Sequence, residues 1–243
     1  MSRRRQTPFQ GFGLGIARRL RGSRIDEADL VIRECKRLIG GGVFYDVGAN
    51  VGEVSEALLP LASRVVAIEP DPDSFATLSH RLGQRAVCIK ALVGPDGAPR
   101  TFLTNTVASK SSTSVAPGDE PPGHDYLKRT AMNSISFDCI AAQHGMPTLV
   151  KIDVEGFEMA VLQSAAAVLA TRPTVVMEFN ALCLSNFGRV NPRDAIDSVM
   201  RIFPKIEVIT QEGRKPLTDP YVFLSENILE HGSVDNLVCS WGD

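Results

Sequence analysis

Residues 43–52 read V-F-Y-D-V-G-A-N-V-G and run straight into E-V-S-E-A-L-L. A short apolar run that breaks on two glycines four apart and then becomes amphipathic is the strand, turn and helix unit from which a parallel α/β sheet is wound. Gly48 and Gly52 carry no Cβ, which permits a tight turn and a close approach between backbone and ligand. The alternation then repeats. The pattern predicts helices over 52–61 and 72–82, the latter opening on Pro72, and strands over 64–69 and 86–90. Ahead of the first strand, apolar positions 28, 31, 32, 35, 38 and 39 predict a helix over 26–39, stopped by Gly40, Gly41 and Gly42.

Further along, strands are expected at 100–104, 132–137, 148–153, 174–179 and 206–210. Helices are expected up to His144, from Phe157 to Ala170 and from Pro192 to Ile202, while Tyr221–Leu224 and Asn236–Ser240 read as strands that close the sheet edge. Residues 105–130, rich in Ser, Thr, Pro and Gly without sustained periodicity, read as a lid or substrate loop. The expectation is a single domain over 25–243 behind a basic, flexible segment, 1–24, that holds seven arginines and no acid. The remainder of the chain is acidic, so no nucleic-acid partner is expected. No apolar run approaches the roughly 20 residues of a membrane span, and none near the start suits a secretory leader. Five cysteines without a C-x-x-C pair argue against a zinc site or a disulfide framework and for a reducing, cytoplasmic setting, with Cys88 and Cys139 as small core residues.

The chemistry concentrates at two places. Asp46, at the end of the first strand, would repel a pyrophosphate but can pair with an amino or sulfonium cation. Asn50 and Glu53 stand where the dinucleotide fingerprint needs its second and third glycines, which disfavours NAD. Glu69 ends the second strand twenty-one residues past Gly48, suited to accept hydrogen bonds from ribose hydroxyls. These features fit a nucleoside cation without phosphate, such as S-adenosylmethionine (SAM). In L-V-K-I-D-V-E-G-F-E, a period of two puts Lys151, Asp153 and Glu155 on one strand face, where charge must pair, bind a ligand or metal, or reach the open sheet edge. Asp153 is the candidate to orient or deprotonate a substrate hydroxyl, with Lys151 and Glu155 beside it; a structural ion pair is the alternative. Glu178 and Asn180 reach the same crevice or cap a turn. His124, and less so His144, are candidate bases. Asp153 and Glu155 are hard ligands that suit a divalent metal, but no cluster at ligand spacing assigns one.

Taken together, F-Y-D-V-G-A-N-V-G, V-V-A-I-E-P-D-P, S-S-T-S, L-V-K-I-D-V-E-G-F-E-M-A-V-L and M-E-F-N resemble the FkbM family of SAM-dependent methyltransferases over roughly residues 40–210. The resemblance implies a class I methyltransferase, Rossmann-like α/β fold: a seven-stranded, mostly parallel sheet flanked by helices, with an antiparallel last hairpin. It implies methyl transfer to a hydroxyl of a sugar, glycan or polyketide-like metabolite. By position, it implies that Asp46, Gly48, Asn50 and Gly52 hold the methionine part, Glu69 the ribose, and Ala91 and Leu92 the adenine neighbourhood, with Asp153 and Glu155 on the acceptor side. The arginine-rich start and residues 113–130 match no motif of the family. A nucleic-acid methyltransferase would be expected to show an N/D-P-P-Y-like strand end or a P-C nucleophile. A non-catalytic nucleotide-binding module would not require an acidic pair beside the ligand turn.

Overall fold

The computed structural model describes residues 27–105, 112–118 and 127–242. The first half runs α1 (Glu27–Leu38), β1 (Val43–Val47), α2 (Glu53–Leu58), β2 (Arg64–Ile68), α3 (Pro72–Leu82) and β3 (Val87–Ile89). Next come β4 (Leu92–Val93), β5 (Pro99–Asn105), β6 (Thr113–Val115), β7 (Leu127–Ile135) and α4 (Phe137–His144). The second half comprises β8 (Leu149–Ile152), α5 (Glu158–Gln163), α6 (Ala166–Ala170), β9 (Thr174–Asn180), α7 (Ala181–Asn186) and α8 (Pro192–Ile202). It closes with β10 (Lys205–Ile209), β11 (Arg214–Pro216), α9 (Pro220–Leu229) and β12 (Val234–Ser240).

Eight strands make the main sheet, in the order β11-β10-β12-β9-β8-β1-β2-β3. The five strands β3, β2, β1, β8 and β9 are parallel, and β12 enters antiparallel between β9 and β10. This is the class I methyltransferase arrangement, with one strand more than the seven expected: the three-residue β11 adds an exposed edge. Apart from Asp46, both faces of β1 are apolar because both are covered. Phe44 packs with Val31 and Cys35 of α1 and Leu58 of α2, while Tyr45 and Val47 face Phe137 and Ile140 of α4. Chain order reverses between β1 and β8, and ligands of open α/β sheets bind outside the strand ends at such a point.

Several expectations change in the structure. The segments expected as strands 100–104 and 132–137 do not join the main sheet. With β4 and β6 they form a separate four-stranded sheet, β4-β7-β5-β6, so the stretch 105–130 contributes regular structure at 113–115 and from 127 onward. The pairing of β5 with β7 spans Pro99–Asn133 to Asn105–Leu127, a long-range register that local periodicity does not encode. Tyr221–Leu224 is helical: Asp219 accepts the N–H groups of Tyr221 and Val222, Pro220 fixes the first turn, and this capping outweighs the β-prone run. Asn236–Ser240 does form a strand, but inside the sheet, because β12 slots between β9 and β10.

The helix expected over 157–170 breaks at Ser164. There the Ser164 hydroxyl donates to Val161 O and accepts Phe137 N–H, while the Asp138 carboxylate accepts Ala167 and Val168 N–H at 2.9 Å each, so the break ties α5 and α6 to the start of α4. Cys139 is exposed rather than core, on the outer face of α4. No helix among the described residues is long and apolar enough to cross a membrane. Phe179, fully buried on β9, meets Phe223 of α9 edge-on with ring centroids 5.1 Å apart. Phe179→Ala should therefore cost about 3–5 kcal/mol, read as a lower urea midpoint; a loss below about 1 kcal/mol would show that this contact does not seat α9 on the sheet.

Candidate active site

A cavity of about 280 Å³ opens outside the ends of β1, β2, β8 and β9, at the reversal of chain order. Its base is an ion cluster. Parallel register sets Asp46 beside Lys151, and Lys151 Nζ lies 3.4 Å from Asp46 and 3.2 Å from Asp153 while donating to the carbonyl of Gly48 at 2.9 Å. Ser55, one turn into α2, donates to the second Asp46 oxygen at 2.7 Å. Burial disfavours the charge on Lys151, but Asp153 and Asp46 outweigh it and raise its pKa above the ordinary lysine value. Asp46 is thus paired from within the protein, Oδ2 by the Ser55 hydroxyl and Oδ1 by the Lys151 charge without a hydrogen bond, and does not line the cavity. Its expected contact with a ligand cation gives way to a role beneath the turn.

The turn itself forms the next wall. Gly48 adopts φ +78°, and a Cβ there would collide with the carbonyl oxygen of Asp153, so only glycine lets β1 and β8 end side by side. Asn50, in the left-handed region at φ +49°, donates its N–H to Glu69 at 2.8 Å, and Asp71 N–H donates to the other Glu69 oxygen at 2.8 Å. Each carboxylate oxygen keeps further acceptor capacity toward the cavity. Burial pushes the Glu69 pKa up to about 7, against the lowering effect of those two N–H groups. Ile68, Ala91, Leu92 and Val93 supply an apolar floor, and Phe102, Thr113 and Ser114 of the small sheet close one side. Gly52 faces away: at φ +85° its missing Cβ makes room for Leu78 of α3, so it shapes helix packing rather than the cavity.

Across the reversal lies an acidic half. β8 ends at Ile152, so the expected strand alternation stops before Asp153 and Glu155. The three acids converge for a different reason. Glu155 turns into the left-handed region at φ +53° and Gly156 follows at +99°, which swings the Glu155 side chain toward Glu178 on β9. Carboxylate oxygens of Asp153, Glu155 and Glu178 lie within 4.8 Å of one another, a spacing that a cation would also suit. Cys183 Sγ donates to Glu155 at 3.2 Å and the Thr113 hydroxyl to the Glu155 carbonyl at 2.6 Å. Burial and the charge of Asp153 push the Glu155 pKa up to about 8, and burial with Asp153 and Glu155 raises Glu178 well above the usual range. Behind them, buried Glu158 accepts Val154 and Gly156 N–H; burial pushes its pKa up to about 7 despite those bonds.

The structure thus gathers Gly48, Asn50, Glu69, Ala91, Leu92, Lys151, Asp153 and Glu155 around one cavity. His124 lies outside the described residues. His144 sits at the end of α4, away from the cavity, where its carbonyl accepts Arg64 at 2.7 Å. Asn180 caps α7 through Cys183 N–H at 3.1 Å, whereas Glu178 faces the cavity. Glu27 of α1 and Asn236 of β12 also line it, joined by a 2.6 Å hydrogen bond; nothing local in the sequence marks these two, because distant segments bring them together.

Comparison with known proteins gives a family and relatives. The model of the methyltransferase FkbM domain matches residues 46–203. The hexuronic acid methyltransferase AglP of Haloferax volcanii is 26% identical over 173 residues, which cover 68% of this chain and 65% of AglP, so the chain spans somewhat less than two thirds of that relative. Among solved structures, the ribosomal protein L11 methylase from Lactobacillus delbrueckii subsp. bulgaricus aligns at TM-score 0.48 with 10% identity, covering 91% of this chain and 81% of its own. A methyltransferase from Geobacter sulfurreducens aligns at TM-score 0.44 with 15% identity, covering 98% and 91% respectively.

The raised acids set a pH dependence. Glu69, Glu155 and Glu158 titrate near 7 to 8 when folded, against 4.5 as the ordinary value, so the folded state holds more protons than the unfolded chain in between. Stability contributed by these groups is present below about 4.5 and is lost as pH rises through the folded values. The thermal midpoint of the ligand-free protein should fall between about pH 5 and 8; a midpoint that rises steadily across that window would contradict the burial of these acids.

Proposed function

The chain belongs to the methyltransferase FkbM domain family, and from that premise we propose that it transfers a methyl group from SAM to a hydroxyl oxygen of a sugar, glycan or polyketide-like metabolite. The observation that carries this reading is that Glu69 and Asp153 face one cavity from opposite sides of the chain reversal. On the β1–β2 side, the backbone of Gly48 and Asn50, the Glu69 carboxylate and the apolar floor at Ala91 and Leu92 fit a nucleoside with an amino-acid tail: acceptors for ribose hydroxyls, an apolar seat for a base, and no phosphate cradle. On the β8–β9 side, Asp153 keeps a solvent-facing carboxylate, 38% exposed, beside the buried Lys151. When bound, SAM supplies an already activated methyl group, so the chain needs only to hold a hydroxyl in place and take its proton. Asp153 accepts that hydrogen bond and then the proton, with Lys151 fixing its orientation. The sugar class comes from AglP, whose acceptor is a hexuronic acid. Asp153, Glu155 and Glu178 would also accommodate a divalent metal, and the reading does not require one.

Calorimetric titration with S-adenosylhomocysteine (SAH) tests the cofactor half. Above about pH 8, where Glu69 is ionised, Glu69→Ala should weaken SAH by roughly 1.5–3 kcal/mol, since hydrogen bonds to a charged group are lost; unchanged affinity would remove Glu69 from the ribose site. A methyl-transfer screen over glycans and hydroxylated metabolites tests the acceptor half. With an acceptor in hand, Asp153→Asn should lower turnover by about 10²–10⁴-fold and leave SAH affinity nearly intact, once thermal midpoints show that the loss of a partner for Lys151 has not unfolded the site. Wild-type turnover in that variant across about pH 6 to 9 would reduce Asp153 to a structural ion pair.

A further inference from the structure

We infer that Asp71 is a positioning residue for the cofactor's ribose, acting through Glu69, and that Thr104 of the small sheet holds it in that role; this rests on the cofactor half of the reading above. Asp71 is 2% exposed and does not line the cavity, so any effect it has on a ligand passes through another group. That group is Glu69. The backbone N–H of Asp71 donates to Glu69 Oε1 at 2.8 Å, one of the two bonds that aim the Glu69 carboxylate. Pro70 and Pro72 flank Asp71 and hold it extended, at φ −66° and ψ 124°, the conformation in which its N–H meets the end of β2.

Local torsions leave open where this turn sits against the rest of the molecule, and the Asp71 side chain decides it. Oδ1 accepts the N–H groups of Asp73 and Ser74 at 3.1 and 2.9 Å, the ordinary duty of a cap at the start of α3. A cap uses one oxygen. The other, Oδ2, accepts the Thr104 hydroxyl at 2.8 Å, from β5 in the other sheet and 33 residues along the chain. Thr104 does not line the cavity either. On the next strand Thr113, paired with Leu103, donates to the Glu155 carbonyl, so adjoining positions of the small sheet brace the cofactor carboxylate and the acceptor half. Without the Thr104 bond a buried carboxylate oxygen loses its partner; the turn relieves that only by moving, and such a move withdraws the Asp71 N–H from Glu69.

The test is calorimetric titration of the full chain with SAH and with its 2′,3′-dideoxy analogue, above about pH 8, where Glu69 is ionised. The wild type should prefer SAH by about tenfold or more, since only SAH carries the hydroxyls that Glu69 accepts. Thr104→Val, which keeps the shape and removes the hydroxyl, should weaken SAH by about threefold or more and leave the analogue within about twofold of its wild-type affinity. Thr104→Ser should restore the preference. Asp71→Ser keeps a good cap but is too short to reach Thr104, so it should reproduce the selective loss, and it serves if Thr104→Val does not fold by thermal midpoint. Equal weakening of both ligands, full preference for SAH in either folded variant, or no rescue by Thr104→Ser overturns the inference and leaves Glu69 at the ribose. A wild type that binds both ligands alike overturns the ribose assignment and this inference with it, while failure to bind SAH overturns the cofactor reading first.

Discussion

One buried ammonium holds the site together. Lys151 Nζ ties the end of β1, through Asp46, to the glycine turn, through the Gly48 carbonyl, and to the acceptor side, through Asp153. Charges removed from water this completely are costly, and they persist only where geometry and hydrogen bonding return the desolvation energy. Here parallel register returns it: Asp46 and Lys151 are direct partners across β1 and β8, and Ser55 completes the carboxylate from α2. Removal of one member of such a set typically costs about 3–5 kcal/mol, because the other is left buried and unpaired. The cluster also explains why a lysine stands in a central strand that is otherwise apolar on both faces.

The position of the cluster decides what the cavity can be. On the β1–β2 side, the backbone turns twice through left-handed conformations, at Gly48 and Asn50, and the Asn50 N–H is spent on Glu69. That bond fixes the turn against the neighbouring strand end and aims a carboxylate into the cavity in one step. On the β8–β9 side, a left-handed Glu155 and Gly156 bring three carboxylates together. Non-glycine residues held in this region cost of order 1–3 kcal/mol, and they cluster where surrounding structure over-determines them. The strain at Asn50 and Glu155 therefore falls on the two walls that face each other.

The small sheet gives the cavity its third wall. Phe102 of β5 packs with Leu92 and Phe157, joining the small sheet to the turn after β8, and Arg100 lies 4.7 Å over the Phe157 ring. Thr113 of β6 bonds the Glu155 carbonyl, so the position of the acidic half depends on a strand pair outside the main sheet. The same pairing brings Ser112, Thr113 and Ser114 to the cavity edge.

Much of this was legible in the chain. Strand, glycine turn and helix at 43–58, the acid ending β2 and the K-I-D-V-E-G segment mark both halves of the site, because glycine conformation and strand-forming apolar runs are local properties that a few neighbouring residues set, although the alternation expected through Glu155 stops at Ile152. Tertiary structure alone decided the rest. The pairing of Asp46 with Lys151 depends on the register of two strands more than a hundred residues apart. Gly52 is glycine for Leu78 on α3, β12 lies inside the sheet rather than at its edge, and Glu27 and Asn236 reach the cavity only once α1 and β12 are assembled. Sequence period fixes which face of an element is apolar; long-range pairing fixes which charged ends meet, and in this protein the meeting of charged ends makes the site.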